Sequence, residues 1–140
     1  MKNKNQSGFS LIELLLVVVI IGVIAAIAVP SLIKAKGAAE RGSATSLMRS
    51  LSSLQISFYS QHNRYGRLDE INASSSNSLG TVTGTSLVRN GFTFQMSPSA
   101  APTNEELKDT YGIIATRPEP GSPTPYTISM NQSGVIEGIY

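Results

Sequence analysis

Few side chains in this 140-residue sequence can do acid, base, nucleophilic or ligand chemistry, and those that can stand apart from one another. His62 is the only histidine and there is no cysteine, which excludes catalytic triads, thiolate zinc sites, disulfides and iron-sulfur clusters. Near the end of a helical pattern, His62 reads as an ordinary solvated or capping imidazole. Glu105, Glu106 and Asp109 gather three carboxylates without the spacing of a calcium loop. They read instead as acids in a short helical turn, ended before Gly112, for which Thr103-Asn104-Glu105-Glu106 is a capping box. No GxxxxGK or GxGxxG string occurs, so the chain supplies no nucleotide-binding loop. No catalytic residue, metal or cofactor is expected, and the chain is not read as an enzyme. Asn72-Ala73-Ser74 and Asn131-Gln132-Ser133 match the glycosylation acceptor pattern, but three-residue matches arise often by chance.

The charged residue that stands out is Glu13, which lies in an apolar run from Phe9 to Val29. From Leu14 to Ile33 the sequence has no charge, and only Gly22, Pro30 and Ser31 fall outside the hydrophobic class. At about 1.5 Å per residue, a helix of about 20 such residues reaches about 30 Å, enough to cross the hydrocarbon layer once. A carboxylate at the centre of such a helix costs about 2.5–3.5 kcal/mol on insertion scales, so one that is retained reads as functional. A secretory signal cut after Ala28 would explain Lys2, Lys4, the apolar run and the small-residue site Ala26-Ile27-Ala28, but it has no use for Glu13.

Composition agrees with a membrane segment on a small domain. Charged residues make up 14% of the chain against an average of about 25%. The chain is too short for a large enzyme with a deep pocket. Its net charge of +2 is concentrated before Ser60, and from there on five basic residues face seven acidic ones. The basic stretch around Lys34, Lys36, Arg41 and Arg49 fits lipid headgroups or a neighbouring subunit better than phosphates of nucleic acid, which is not expected as a partner. Counting Lys and Arg on either side of the apolar run places its C-terminal side in the cytoplasm.

The elements that must position Glu13 follow from periodicity. Pro30 cannot donate to the Ala26 carbonyl and sits eight residues after Gly22, so the helix is expected to bend or loosen there. Leu47, Leu51, Leu54 and Phe58 then recur along one helical face, with Arg49, Ser52, Ser53 and Gln55 off it. Asn63 and Gly66 stop the helix near residues 61–63. Beyond lies a polar loop, Asn72 to Gly84. Strands are expected at Gly91–Met96, at Tyr111–Thr116 and around Tyr126, Ile128 and Met130, with a return from Val135 to Tyr140 and a rigid Arg117–Pro125 connection. The fold class is therefore α+β: a long N-terminal helix, membrane-spanning in its first half and kinked near Pro30, packed on a small C-terminal antiparallel sheet of three or four strands.

Gly8-Phe9-Ser10-Leu11-Ile12-Glu13, preceded by a short polar basic leader and followed by the apolar run and Pro30, resembles the N-terminal signature of type IV pilins and of the pseudopilins of type II secretion. The close resemblance covers roughly residues 1–66. It implies an organisation of residues 1–8 as a cleaved leader, 9–33 as a transmembrane and filament-core helix, and 34–140 as an amphipathic helix half with a globular head. It implies that a prepilin peptidase cuts between Gly8 and Phe9 on the cytoplasmic side, an orientation opposite to the one the charge count gives. Phe9 would then be N-methylated, and Glu13 would pair with the Phe9 amine of a neighbouring subunit during assembly. In such filaments the stretch between residues like Gly22 and Pro30 can unwind. Many type IV pilins close the C-terminal loop with a disulfide. This chain, lacking cysteine, needs its closing turn and Tyr140 to hold that end.

The resulting expectation is a structural subunit of a type IV pilus for adhesion, motility or DNA uptake, a homopolymer drawn from the bacterial inner membrane by a pilus assembly machinery onto the cell surface. A pseudopilin of a secretion piston, a minor pilin and a soluble secreted protein cut after Ala28 are the alternatives.

Overall fold

A computed structural model describes residues 8–119 and 124–139. Lys2, Lys4, the middle of the Arg117–Pro125 connection and Tyr140 lie outside the described residues. The elements in chain order are α1 (Leu11–His62), α2 (Leu68–Ser74), β1 (Thr81–Thr83), β2 (Ser86–Arg89), β3 (Phe92–Ser97), β4 (Gly112–Arg117), β5 (Tyr126–Asn131) and β6 (Ile136–Ile139). The class is α+β, and the chain divides into two compact units, residues 1–39 and 40–140.

In the first unit α1 is helical through Gly22 and Pro30 alike. Its large apolar side chains from Phe9 to Ile33 are all exposed, from 44% at Val17 to 81% at Leu11. An apolar surface of that extent has to be covered by something other than water. By length and composition the helix can cross a membrane.

The second unit folds because the rest of α1 is amphipathic. Ala44, Leu47, Met48, Leu51, Gln55 and Phe58 are buried along one face, with Leu54 half-buried beside them. Gln55 corrects the expectation that it lies off the apolar stripe. It is fully buried because its amide is satisfied twice by one residue: Nε2 donates to the Gly66 carbonyl at 2.7 Å, and the Gly66 N–H donates to Oε1 at 2.8 Å. Glycine also lets Ile71 and Phe58 pack onto this position, where a Cβ would meet Ile71 Cδ1 at 2.7 Å.

Between α1 and the sheet lies α2, whose last residues, Asn72 to Ser74, take in the start of the stretch expected to be a polar loop. Arg64 grips Glu70 with both guanidinium nitrogens, at 2.9 and 2.6 Å, and the Arg67 N–H donates to the same carboxylate at 2.9 Å. The Arg64 guanidinium pulls the Glu70 carboxyl down to about 2, with the Arg67 N–H helping and burial opposing. A group depressed in this way stabilises the fold fully above its unfolded value of about 4.3. That contribution drains away as pH falls through this value toward about 2. Thermal melts of a fragment beginning at Val29, followed by circular dichroism from about pH 6 to pH 2, are expected to fall more steeply for the parent than for Glu70→Gln, which starts lower. Parallel curves would show that the pairing adds nothing.

The sheet has six antiparallel strands in the order β1-β2-β3-β4-β5-β6, not three or four. Phe92, Phe94 and Met96 alternate inward on β3, Ile113 and Ala115 on β4, and Tyr126, Ile128 and Met130 on β5. Register aligns them in rows: Leu87, Phe94, Ala115 and Ile128 in one, Met96, Ile113, Met130 and Ile136 in another. The additional strands come from two tight hairpins. Asn90 and Gly91 both have positive φ, 50° and 77°, and join β2 to β3 as a two-residue loop, the geometry that Asn-Gly favours. Gly84 at φ 61° opens the two-residue loop between β1 and β2.

Two ion pairs tie α1 to the end of the sheet: Arg117 with Glu40, and Arg41 with Glu119. Each arginine also covers a ring, Arg41 over Tyr126 at 4.6 Å and Arg117 over Phe92 at 5.4 Å. The short helical turn expected from Thr103 is present, with the Leu107 N–H donating to the Thr103 carbonyl at 3.2 Å.

Candidate functional site

Gly8, Phe9 and Ser10 precede the helix in non-helical backbone, and all three are exposed. The Gly8–Phe9 peptide therefore stands free of secondary structure. A Cβ built at Gly8 would meet nothing within 4 Å, so the glycine is not demanded by packing in this chain. Phe9, 80% exposed, has no intramolecular packing role to explain it either.

Ser10 is the N-cap of α1, which places Glu13 at the third helical position. The Glu13 carboxylate turns back and accepts the Ser10 N–H at 3.0 Å, while the Leu14 N–H donates to the Ser10 carbonyl at 3.2 Å. This is the reaching-back half of a capping box, and a negative charge in the first turn also suits the helix dipole. The pattern Ser10-x-x-Glu13 is readable in the sequence, but the apolar residues around it draw attention to the membrane and away from the cap. Glu13 therefore has a local partner in the single chain, held one helical turn from Phe9.

Gly22 and Pro30 lie farther along the same exposed helix, with nothing within 4 Å of a Cβ added at Gly22. Pro30 withholds one N–H from the helix ladder, which weakens the turn between it and Ala26.

The other candidate groups do not converge. Among the described residues no cluster of His, Asp and Glu is placed to hold a metal ion. Glu105 pairs with Lys108 at 2.8 Å, and the Glu106 carboxylate accepts both the N–H and the hydroxyl of Thr103, at 2.7 and 2.9 Å. Those Thr103 bonds hold the Glu106 carboxyl below the usual carboxylate range. His62 stacks on Phe58 with ring centres 4.0 Å apart, its Nδ1 3.2 Å from the Phe58 carbonyl. Asn72, first residue of one acceptor pattern, is 2% exposed, and its Oδ1 accepts the Leu79 N–H at 3.1 Å. It is a fixed strut under the β1 hairpin, a role the sequence does not announce.

Substitution of Gly8 tests whether its backbone must be approached from outside. Gly8→Val leaves the fold unstrained, since the position is open, but places a β-branched side chain beside the Gly8–Phe9 peptide. The expected result is uncut precursor, visible as slower gel migration. Mature-size protein from Gly8→Val would remove cleavage at this bond.

Comparison with known proteins bears on the same segment. Residues 3–29 match the family model of the prokaryotic N-terminal methylation motif. The chain is also 43% identical over 63 residues to the type IV major pilin protein PilA of Myxococcus xanthus, a match covering 45% of this chain and 29% of that protein. The chain thus spans less than a third of the length of this relative. By residue pattern and by the family model, the N-terminus of this chain carries the prokaryotic N-terminal methylation motif, and over 63 residues the chain is similar to a type IV major pilin.

Proposed function

We propose that this chain is a structural subunit of a type IV pilus: a prepilin held in the bacterial inner membrane, cut between Gly8 and Phe9 by a prepilin peptidase, N-methylated at Phe9 and polymerised onto the cell surface. The observation that carries the reading is the helix beginning at the methylation motif, whose apolar side chains from Phe9 to Ile33 are exposed in the single chain. Lipid covers that surface before assembly, and other copies cover it afterwards. Glu13 is the assembly residue. It exchanges the Ser10 N–H for the stronger, charge-assisted partner that cleavage creates, the Phe9 amine of a neighbouring copy.

Gly22 and Pro30 make the intervening helix easy to unwind when copies pack. The similarity to a major pilin supports the pilus over a secretion piston. The role is structural, and the energy for assembly comes from a separate machinery.

Filaments sheared from cells, imaged by electron microscopy and analysed by mass spectrometry, test this directly. The expected main protein begins at methylated Phe9. A soluble product beginning at Val29 would replace the reading with a secreted protein.

A further inference from the structure

The unit formed by residues 40–140 contains an apolar cavity of about 180 Å³, lined by Met96, Pro98, Pro102, Leu107 and Tyr111 with Glu106 at its rim. It lies beneath the connection between β3 and β4, which is held in place from outside. Arg67 Nε donates to the Pro102 carbonyl at 2.9 Å, and the Tyr65 N–H donates to the Leu107 carbonyl at 2.8 Å. The concavity is therefore built, and a cavity of about 150 Å³ already admits a benzene ring. A branched aliphatic side chain fits it. The connection above it is acidic: Glu106 lines the cavity and Asp109 precedes the lining residue Thr110, both are exposed, and neither forms a salt bridge among the described residues.

Among the described residues of this unit, four large apolar side chains are exposed: Ile56 (66%), Tyr59 (39%), Val82 (37%) and Val135 (54%). Tyr59 already packs on Tyr65, with ring centres 4.8 Å apart. Val82 sits between two threonines, and Val135 lies two residues from Glu137, a charge the rim would repel. Ile56 alone shares its face with a suitable cation. Arg49 precedes it by two helical turns, about 10 Å along the axis, with the small Ser53 between them. The Arg49 side chain is exposed and has no partner among the described residues.

We propose that Ile56 of one copy enters the cavity of a second copy, with Arg49 set against the acidic rim of Glu106 and Asp109. This rests on the pilus reading and names one contact by which heads of neighbouring subunits recognise each other. Knob and cavity are different surfaces of the same chain, so the contact is head-to-tail and propagates from copy to copy, where a self-complementary patch stops at a dimer.

The chain has no cysteine, so cross-linking is clean. Ile56→Cys is combined in the full chain with Ser99→Cys or, separately, with Thr110→Cys, both at positions lining the cavity. Filaments sheared from cells are oxidised and run on non-reducing gels. The expected result is a ladder of dimers, trimers and higher species from each double variant, collapsing on reduction, with monomer from each single variant. Filaments that give only monomer from both double variants overturn the docking and leave the pilus reading in place. Absence of filaments from the parent chain overturns the pilus reading and the docking with it. If cysteine pairs block assembly, charge reversal decides: Arg49→Glu lowers filament yield several-fold and Asp109→Arg restores it, whereas unchanged yield from Arg49→Glu overturns the proposal.

Discussion

Cells making Glu13→Leu are expected to accumulate mature membrane protein at normal levels and to raise no filaments. Leucine removes a carboxylate that costs about 2.5–3.5 kcal/mol at the centre of a membrane helix, so insertion is as good as before or better. Cleavage between Gly8 and Phe9 is expected to persist, because that peptide lies outside the helix. On the proposed function, what is lost is the partner for the Phe9 amine of the next subunit. An uncompensated buried charge costs about 3–5 kcal/mol, and the loss recurs at every subunit added. Immunoblots of membranes, paired with microscopy of surface filaments, measure the two halves separately. Abundant normal filaments from Glu13→Leu cells would give Glu13 a different purpose.

The structure supplies that other purpose, and a second variant separates the two. Glu13 also caps its own helix through the Ser10 N–H, a contribution of about 1 kcal/mol. Glu13→Gln keeps an oxygen for that bond and removes only the charge. If charge pairing drives assembly, Gln is expected to fail as Leu fails. Recovery of filaments with Gln would instead assign the residue to the helix cap.

Leu51→Asp is expected to unfold the unit formed by residues 40–140. Leu51 is fully buried in the cluster that joins α1 to the sheet. An aspartate there forfeits the packing of a leucine and strands a carboxylate without a cation, which places the loss among the largest single-site effects, above about 4 kcal/mol. Domains of this size hold about 5–15 kcal/mol in total. A fragment beginning at Val29 is expected to be soluble and to melt cooperatively by circular dichroism, and its Leu51→Asp form to show no transition. A melt like the parent's would mean that the stripe does not face the core.

The sequence is most legible where structure follows from local period. The stripe of Leu47, Leu51 and Phe58, the alternation on β3 and β5, and the stop of α1 at His62 beside Asn63 can all be read without coordinates. Gly8, Phe9 and Glu13 are legible in another way, by the spacing of a motif. Gln55 is misread because polarity argues for the surface while its amide is answered by Gly66, outside its own helix. The β1–β2 hairpin hides in a run of Ser and Thr, although Gly84 marks its turn and Asn90-Gly91 the turn from β2 into β3. The head cavity is invisible in sequence, because it depends on Arg67 and Tyr65 gripping a segment more than thirty residues away.

Each strand of the meander pairs with the strand that immediately precedes it in the chain, and the α1 stripe that covers the sheet precedes them all. During synthesis no strand waits for a partner still to be made, so the sheet can be laid down in order on a helix that is already present. β6, the last to arrive, finishes an edge on which, among the described residues, only Ile136 packs against the core. A ribosome that pauses late, or a chain clipped after β5, therefore leaves a head in which every described core residue except Ile136 is already in place.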